Sequence, residues 1–308
     1  MLIGAGIVVI ALVAIAVVAT QWLIDDRSET IPTDEVIANY RSSTSVATPE
    51  GSDRSSSTLV MRDEPTTTAP GVTSAGAAAG STSDPRSSMP ASTSTSISTP
   101  SPPGLVASAA PGVYRYVTKG FEEVDALGGA RHDYPDETTI TVISAGCGVH
   151  LRWDVLRERR DEWTICGTAD GVVLQPDGVQ YHEFFQQPDE EPITCTSTVL
   201  VVPVDPAAMP TTDQSCLLGD DPWRPSWEVL EHGTRTVEGT DVGVTHVRMT
   251  ISDGDEHWEH TTIDWFLAPD GLPVEATGTK ESSSPSPIGD VIYTEQFHLQ
   301  LVSLVPAT

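Results

Sequence analysis

The sequence is short of positive charge. Its 308 residues include 16 Lys and Arg against 44 Asp and Glu, which gives a formal net charge of −28 at pH 7. Residues 112–308 alone carry 34 of the acidic and 11 of the basic side chains. A surface with this charge repels phosphate backbones and anionic lipid headgroups, so the composition excludes nucleic acid as a partner.

The common catalytic and cofactor-binding motifs are also missing. The chain has no Gly-x-Ser-x-Gly elbow, no P-loop, no Gly-x-Gly-x-x-Gly after a strand and no His-Glu-x-x-His pair. Its eight histidines are scattered along the chain, and none adjoins a serine in a nucleophile-like turn. We therefore predict no catalytic residues, no cofactor, no metal site and no enzymatic activity.

Charge of either sign is absent from the first 24 residues, and this run is strongly apolar. A helix of roughly 20 apolar residues crosses a hydrocarbon core of about 30 Å. Trp22 stands where an interfacial aromatic belongs. Met1–Ile24 is therefore predicted to be a transmembrane signal-anchor helix. The alternative is a cleaved signal peptide ending near Ala19, although the run is longer than a usual h-region.

The flank of this run predicts the orientation of the chain. No basic residue precedes the run, and Asp25, Asp26 and Glu29 make the downstream flank acidic, which favours export. We expect a single pass through the cell membrane, with the N-terminus inside and the C-terminal bulk outside in the cell envelope. The first cysteine is Cys147, so an N-terminal lipidated cysteine is excluded and the helix itself would be the anchor.

Aromatic residues are absent between Tyr40 and Tyr114, where Ser, Thr, Ala, Pro and Gly dominate. Such a composition buries too little apolar surface to offset chain entropy. Residues 25–111 are therefore predicted to be a disordered stalk that holds the following domain away from the membrane. Within this stalk, the sequence predicts one exception to disorder, a short helical patch at Thr33–Tyr40.

Residues 112–308 are predicted to form one domain of β-structure. Alternating apolar and polar positions indicate ten strand segments. They are Val113–Val117, Thr138–Ile143, Val149–Leu156, Trp163–Ala169, Val179–Phe185, Thr194–Val202, Thr245–Ile251, Thr261–Leu267, Pro273–Thr279 and Val291–Leu304. Hairpin-type Asp-Gly turns begin at Asp170, Asp177, Asp253 and Asp270. The only short helix candidates are Asp125–Ala130 and Trp223–Glu231, so we predict a mainly β, antiparallel half-barrel or open barrel of ten or more strands.

The four cysteines all lie in this domain, and outside the membrane an even number indicates disulfides. Of the three possible connectivities, Cys147–Cys166 with Cys195–Cys216 is favoured, because a hairpin that turns at Arg159-Arg160 would bring Cys166 back near Cys147. The loops of about 20 residues would stabilise by about 3 kcal/mol each in the chain-entropy model. The alternative, a four-cysteine zinc site, lacks the short spacing between ligands that zinc knuckles have.

The densest polar cluster is Asp253, Asp255, Glu256, His257, Glu259 and His260. On a strand, successive side chains point to opposite faces, so these groups would not converge on one ion. The fragment Asp253-Gly254-Asp255 also lacks the bidentate glutamate of a calcium loop. The pattern is more typical of a solvated hairpin tip in an acidic protein.

Six of the seven tryptophans fall in the domain. Aromatics on strands belong to the core or to cross-strand pairs, and in a half-barrel they can also line a ligand cavity. Candidates for these two roles are Trp153, Trp163, Trp258 and Trp265. Trp153 and Trp265 are predicted to be core residues because each lies within an alternating strand.

The C-terminal third carries a recognisable series of strand motifs. These are Gly239-Thr240, Thr245–Thr250, Asp264–Leu267 and Asp270–Val274, followed by a long strand to Leu304. The series resembles the late strands of the half-barrel envelope lipoproteins that carry acylated lipids in mycobacteria and related actinobacteria. The resemblance implies an antiparallel sheet curled around a hydrophobic cavity, without catalytic residues. The chain departs from that family in having no lipobox cysteine, an anchor and stalk instead, and four cysteines.

Together these features predict a membrane-anchored binding domain for a lipid or another apolar envelope ligand. The alternative is a cell-envelope interaction or structural module that uses its acidic surface to meet a protein partner. An envelope enzyme is a third possibility, which no group of residues supports. A continuous apolar cavity would favour the first function. A filled core with an exposed aromatic patch would favour the second.

Overall fold

The computed structural model describes residues 28–45, 106–253, 258–286 and 289–308. The predicted anchor, Met1–Ile24, and most of the predicted stalk, 25–111, lie outside the described residues. Within the described ranges, no helix combines the length and the apolar character that crossing a membrane requires.

The described residues form one α-helix, one short 3₁₀ turn at Ala126–Gly128 and sixteen β-strands. The helix α1 is Thr33–Ser45. The strands, numbered in chain order, are β1 Gly112–Val124, β2 Ala130–Asp133, β3 Glu137–Ala145, β4 Gly148–Leu156, β5 Arg159–Gly167, β6 Gly171–Phe184, β7 Gln187–Cys195, β8 Val199–Pro203, β9 Thr211–Asp213, β10 Cys216–Leu218, β11 Asp221–Trp223, β12 Ser226–Val237, β13 Thr240–Asp253, β14 Glu259–Leu267, β15 Pro273–Ser286 and β16 Gly289–Leu301.

All sixteen strands belong to one antiparallel sheet. Fourteen follow the order β11-β10-β7-β6-β5-β4-β3-β1-β16-β15-β14-β13-β12-β9, while β2 pairs with β1 and β8 pairs with β6. Two meanders, β3–β7 and β12–β16, are therefore joined by the first strand, β1, which lies between β3 and β16. The prediction of a mainly β, antiparallel, open half-barrel of ten or more strands is confirmed.

The two meanders curl toward each other around a common core. The ring of Trp153 on β4 lies 5.0 Å from that of Phe297 on β16, measured between centroids. Tyr116 on β1 is fully buried and donates a hydrogen bond of 2.8 Å to the carbonyl oxygen of Pro273 at the start of β15. Strands of both meanders therefore contribute to one main hydrophobic core, and a second, smaller cluster contains Cys216, Trp223, Met249 and Ile251.

The open seam of the half-barrel is bridged by Gln214. This residue stands between β9, at one end of the strand order, and β10, near the other end. Its Nε2 donates to the carbonyl oxygen of Ser197 at 2.5 Å, and its Oε1 accepts from Trp227 Nε1 at 3.0 Å. One buried amide thus links the loop after β7 to β12, so that the two meanders stay close without a ladder of hydrogen bonds between β11 and β9.

The disulfides are Cys147–Cys166 and Cys195–Cys216, and no described cysteine is free. The hairpin β4–β5 places Gly148 opposite Cys166, which brings Cys147 close to its partner. Cys195 on β7 and Cys216 on β10 are opposite each other in the ladder. The predicted pairing is therefore confirmed, although the hairpin turns between Leu156 and Arg159 and not at Arg159-Arg160.

The strand predictions differ from the structure around β6. The pair Asp177-Gly178 was expected to be a hairpin turn, but it lies inside β6 at a bulge, where the partners on β5 shift from Trp163 to Ile165. The segment Thr194–Val202 was expected to be one strand, but it is divided between β7 and β8. The physical reason is that β6 pairs with β7 along one half and with β8 along the other, so the chain must step past the bulge.

One helix prediction is wrong. The segment Trp223–Glu231 is the end of β11 followed by the start of β12. Its side chains alternate across the sheet, and the ladder to β13 places Trp227 opposite Met249. Pairing with β13 therefore outweighs the local helical tendency, as tertiary context commonly does.

The helix α1 extends the expected patch at Thr33–Tyr40 to Ser45 and packs on the β domain. Its Thr33 hydroxyl donates to Glu137 Oε1 at 2.8 Å, and Arg157 makes a two-pronged ion pair with Glu35 at 2.7 and 3.1 Å. Val36 is buried. This part of the predicted stalk is ordered because it finds partners on the domain that composition alone does not reveal.

Candidate binding groove

An apolar groove opens on the inner side of the half-barrel, between strands β5–β7 of one meander and β12–β14 of the other. Its cavity has a volume of about 140 Å³, and the groove reaches about 990 Å³ when the space open to solvent at its mouth is included. The walls are mainly apolar and include Trp163, Ile165, Leu174, Ile193, Val201, Trp223, Trp227, Val247, Met249, Ile263 and Trp265. We call this feature the apolar groove.

One wall of the apolar groove follows from the register of three strands. Residues directly opposite in an antiparallel ladder share a face of the sheet. Trp227, Met249 and Ile263 form one row across β12, β13 and β14, and Val229, Val247 and Trp265 form the next row. Two rows of large apolar side chains therefore cover this wall.

The facing wall has a glycine in its row. Trp163 on β5 is opposite Gly178 on β6, which is opposite Ile193 on β7. Ile193 packs against the position that a side chain of Gly178 would take, since a Cβ there would lie 3.6 Å from Ile193 Cδ1. The two walls meet where the rings of Trp163 and Trp265 approach with their centroids 5.6 Å apart. Trp163, Gly178 and Ile193 all line the apolar groove.

Two polar side chains of the groove have buried atoms without a hydrogen-bond partner among the described residues. Trp223 is 9% exposed, and its Nε1 donates no hydrogen bond. Gln180 Oε1 is likewise buried and accepts none. Each such orphan atom costs free energy that a ligand with matching polar groups can recover.

A smaller polar chamber of about 40 Å³ continues from the inner end of the groove. Both spaces share Gln180, Trp223 and Trp265 in their linings. The chamber adds the charged side chains of Arg159, Glu259, Lys280 and Glu295, and Asp161 lines both spaces. The apolar groove therefore adjoins a chamber whose lining carries charged side chains.

Arg159 is held in the lining of the polar chamber by buried carboxylates. Its two terminal nitrogens donate to Asp161 at 2.6 and 2.7 Å, and Nη2 also lies 3.3 Å from Glu295 Oε1. Tyr134 donates to the same Glu295 oxygen at 2.5 Å. Burial opposes the charge of Arg159, but the carboxylates of Asp161 and Glu295 outweigh it and raise the pKa of the guanidinium.

Glu122 is the fully buried centre of a second polar cluster, which Arg159 adjoins. Its carboxylate lies 2.9 Å from Nδ1 of both His132 and His182, and it accepts from the Tyr293 hydroxyl at 3.1 Å. Burial favours the neutral acid, yet the bonds from the two histidines and the charge of Arg159 outweigh it and lower the pKa of Glu122 to about 2. Glu122 is therefore an anion in the folded protein at neutral pH.

The predicted tryptophan sites separate into three environments. Trp153 is a core residue at 1% exposure, and its Nε1 donates to Thr138 Oγ1 at 3.0 Å. Trp163 and Trp265 line the apolar groove. Trp265 was expected to be a core residue, but it is half-buried in the wall of the groove. Trp258 is half-buried beside His260 and is not among the residues that line the groove.

Among the described residues of the acidic cluster that is densest in the sequence, Glu259 lines the polar chamber. Residues 254–257 lie outside the described residues, and His260 is exposed. In the described part of the chain, no three His, Cys, Asp or Glu side chains are placed to hold a metal ion.

The sequence interpretation missed several residues of the site. Trp223 and Trp227 line the groove, but they were assigned to a helix candidate. Glu122, His132 and His182 come from β1, β2 and β6, and nothing in their local spacing brings them together. The alternation of Trp227 and Val229 was the one local signal that could have placed both on the inner face.

Comparisons of the chain with protein-family models, with curated proteins and with solved structures found no match. The function has to be argued from the geometry of the domain itself.

Proposed function

We propose that residues 112–308 form a non-catalytic binding domain for a small apolar ligand, which enters the apolar groove between the two meanders. The observation that carries this proposal is a cavity lined by rows of large apolar side chains and open at its mouth. Concave apolar sites with a few placed polar groups are the usual form of small-molecule sites.

The size of the cavity limits the ligand. A cavity of about 150 Å³ lined by apolar side chains is known to accept a benzene ring. The 140 Å³ here is therefore suited to one ring or the end of one alkyl chain, and any longer part of the ligand extends into the open mouth. A lipid with several acyl chains would not be enclosed.

The surface gives less support to the alternative of a protein-interaction module. The large hydrophobic side chains that are exposed within the described ranges are aliphatic, from Val117 to Val305, and include no aromatic residue. The aromatic side chains of these ranges are buried or half-buried. An exposed aromatic patch, which would favour a protein partner, is therefore not part of the described surface.

The same proposal places the domain outside the cell membrane, anchored by Met1–Ile24. Two features support this location. The first is the uncharged apolar run itself, which is long enough to span a bilayer. The second is the presence of two disulfides, which persist in oxidising compartments.

Toluene is the probe that tests the groove, because it matches the cavity and carries no polar group. We expect the full chain in lipid nanodiscs to bind toluene in a calorimetric titration corrected with empty nanodiscs. Leu174→Trp fills the groove and should weaken binding at least about tenfold, since the added ring takes the space of the ligand.

Leu217→Trp is the matched control. Leu217 is 45% exposed on β10 and does not line the groove, so this variant should bind toluene like the wild type. Circular dichroism would verify that both variants are folded. Absence of toluene binding to the wild type, or equal binding by the two folded variants, would contradict the proposal.

A further inference from the structure

Three side chains that line the polar chamber carry a buried polar atom without a hydrogen bond within the described residues. These atoms are Trp223 Nε1, Gln180 Oε1 and Arg159 Nε. Arg159 Nε lies 3.7 Å from Glu122 Oε2, beyond hydrogen-bond distance but on the side of a residue that does not line the chamber. Trp223 and Gln180 line both the chamber and the groove, so they offer one donor and one acceptor without a protein partner where the two spaces adjoin.

The charges around the chamber decide what kind of group can meet these atoms. Three carboxylates, Asp161, Glu259 and Glu295, face two cations, Arg159 and Lys280. Both cations already have carboxylate partners, because Arg159 is paired with Asp161 and Lys280 Nζ lies 3.7 Å from Glu259. An anionic head would meet an excess of carboxylates without a cation of its own.

The excess of carboxylates would attract a cationic head, but two properties oppose it. An ammonium group has only donors, so it would leave Trp223 Nε1 unpaired, and its charge would lose its water on entering the chamber. A hydroxyl group, by contrast, accepts one hydrogen bond from such a donor and donates one to Gln180 Oε1. An amide offers the same two functions.

We infer that the groove selects a neutral amphiphile, with a ring or alkyl body in the apolar groove and a hydroxyl or amide head in the polar chamber. This inference rests on the proposed function, because it assigns the chemistry of the ligand that the same groove would hold. The chamber of about 40 Å³ is room for a head of about three heavy atoms, since one water needs about 10–15 Å³.

Four compounds with one scaffold test the inference: toluene, benzyl alcohol, benzylamine and benzoate. At pH 7 they present no polar group, a neutral hydroxyl, an ammonium and a carboxylate on the same ring. We expect the full chain in nanodiscs to bind benzyl alcohol about fivefold more tightly than toluene, because one additional net hydrogen bond gives a gain in affinity of about this size. Benzoate and benzylamine should bind at least about tenfold more weakly than benzyl alcohol.

Trp223→Phe tests the assigned donor within the same series. The variant keeps an aromatic ring but loses Nε1, so the fivefold preference for benzyl alcohol over toluene, measured within the same variant, should disappear. Circular dichroism would verify that the variant is folded. The matched control is Trp258→Phe, which removes an indole outside the groove and should leave all four affinities unchanged.

The possible results separate this inference from the proposed function. If toluene does not bind, the proposed function fails. If toluene binds but benzyl alcohol binds no more tightly, water serves these polar atoms equally well and the inference is overturned. Preferred binding of benzoate or benzylamine would overturn it as well, and the groove would remain a binding site for a charged amphiphile.

Discussion

Glu122→Gln is expected to lower the free energy of unfolding by about 3–5 kcal/mol at pH 7, as loss of one partner from a buried ionic cluster does. Glu122 is fully buried and holds His132 and His182 at 2.9 Å and Tyr293 at 3.1 Å. The glutamine keeps the size of the side chain but removes the charge that these donors and Arg159 stabilise. Urea unfolding at pH 7 would measure the loss.

The effect of Glu122 should also depend on pH. Its pKa is about 2 in the folded protein against an ordinary value of 4.5, because the hydrogen bonds from the histidines outweigh burial. The stabilisation is therefore complete above about pH 4.5 and is lost as the pH falls toward 2. This difference in pKa corresponds to about 3 kcal/mol. The stability gap between the wild type and Glu122→Gln should shrink by this amount across that range.

Glu123→Gln is the matched control for this prediction. Glu123 is the next residue on β1, and its partly exposed side chain pairs with Arg131 at 3.1 Å. Surface pairs of this kind contribute less than about 1 kcal/mol. Equal losses for the two glutamines, or a gap for Glu122→Gln that does not change between pH 5 and pH 2, would show that the buried cluster does not stabilise the fold as described.

Trp153→Ala is expected to cost about 3–5 kcal/mol, because it removes a large buried side chain and leaves a cavity. Trp153 is 1% exposed and packs with Phe297 and Tyr134. Its indole also begins a chain of hydrogen bonds, since Nε1 donates to Thr138 Oγ1 at 3.0 Å and that hydroxyl lies 2.6 Å from Thr118 Oγ1.

Two further variants separate packing from hydrogen bonding at this position. Trp153→Phe keeps most of the packing and should cost about 1–2 kcal/mol, mainly for the lost hydrogen bond from Nε1 to the Thr138 hydroxyl. Trp258→Ala removes a half-buried indole outside the core and should cost clearly less than Trp153→Ala. A denaturation series in which Trp153→Ala and Trp258→Ala are equally stable would mean that the core is not centred on Trp153.

Local patterns predicted those parts of the fold that depend on near neighbours in sequence. The alternation of apolar and polar residues correctly located segments such as Thr261–Leu267, which lies in β14. It could do so because the two strands that pair with β14 directly precede and follow β14 in the sequence. The turn at Asp270-Gly271 joins β14 to β15 as expected, with Gly271 in the left-handed region at φ 85°. The disulfide pairs were found for the same reason, since each closes a short loop between neighbouring strands.

Long-range pairing could not be predicted from these patterns. The strand β1 lies between β3 and β16, so it joins residues near 116 to residues near 301. That single pairing brings the two meanders face to face and creates the groove. The buried cluster of Glu122, His132 and His182 has the same origin, because these residues are distant in sequence. The dense cluster near Glu259 is local in sequence, and of its described residues only Glu259 lines the polar chamber.

An NMR titration of the indole N–H signals tests directly whether the apolar groove is the binding site. The full chain, labelled with ¹⁵N at tryptophan and placed in nanodiscs, would be titrated with toluene, with signals assigned from single Trp→Phe variants. Our account predicts shifts for Trp163 and Trp265, which meet at the groove, and no shift for Trp153 in the core or Trp258 outside it. Shifts confined to Trp258, or no shift of Trp163 and Trp265 at saturating toluene, would contradict the claim that the apolar groove is the binding site.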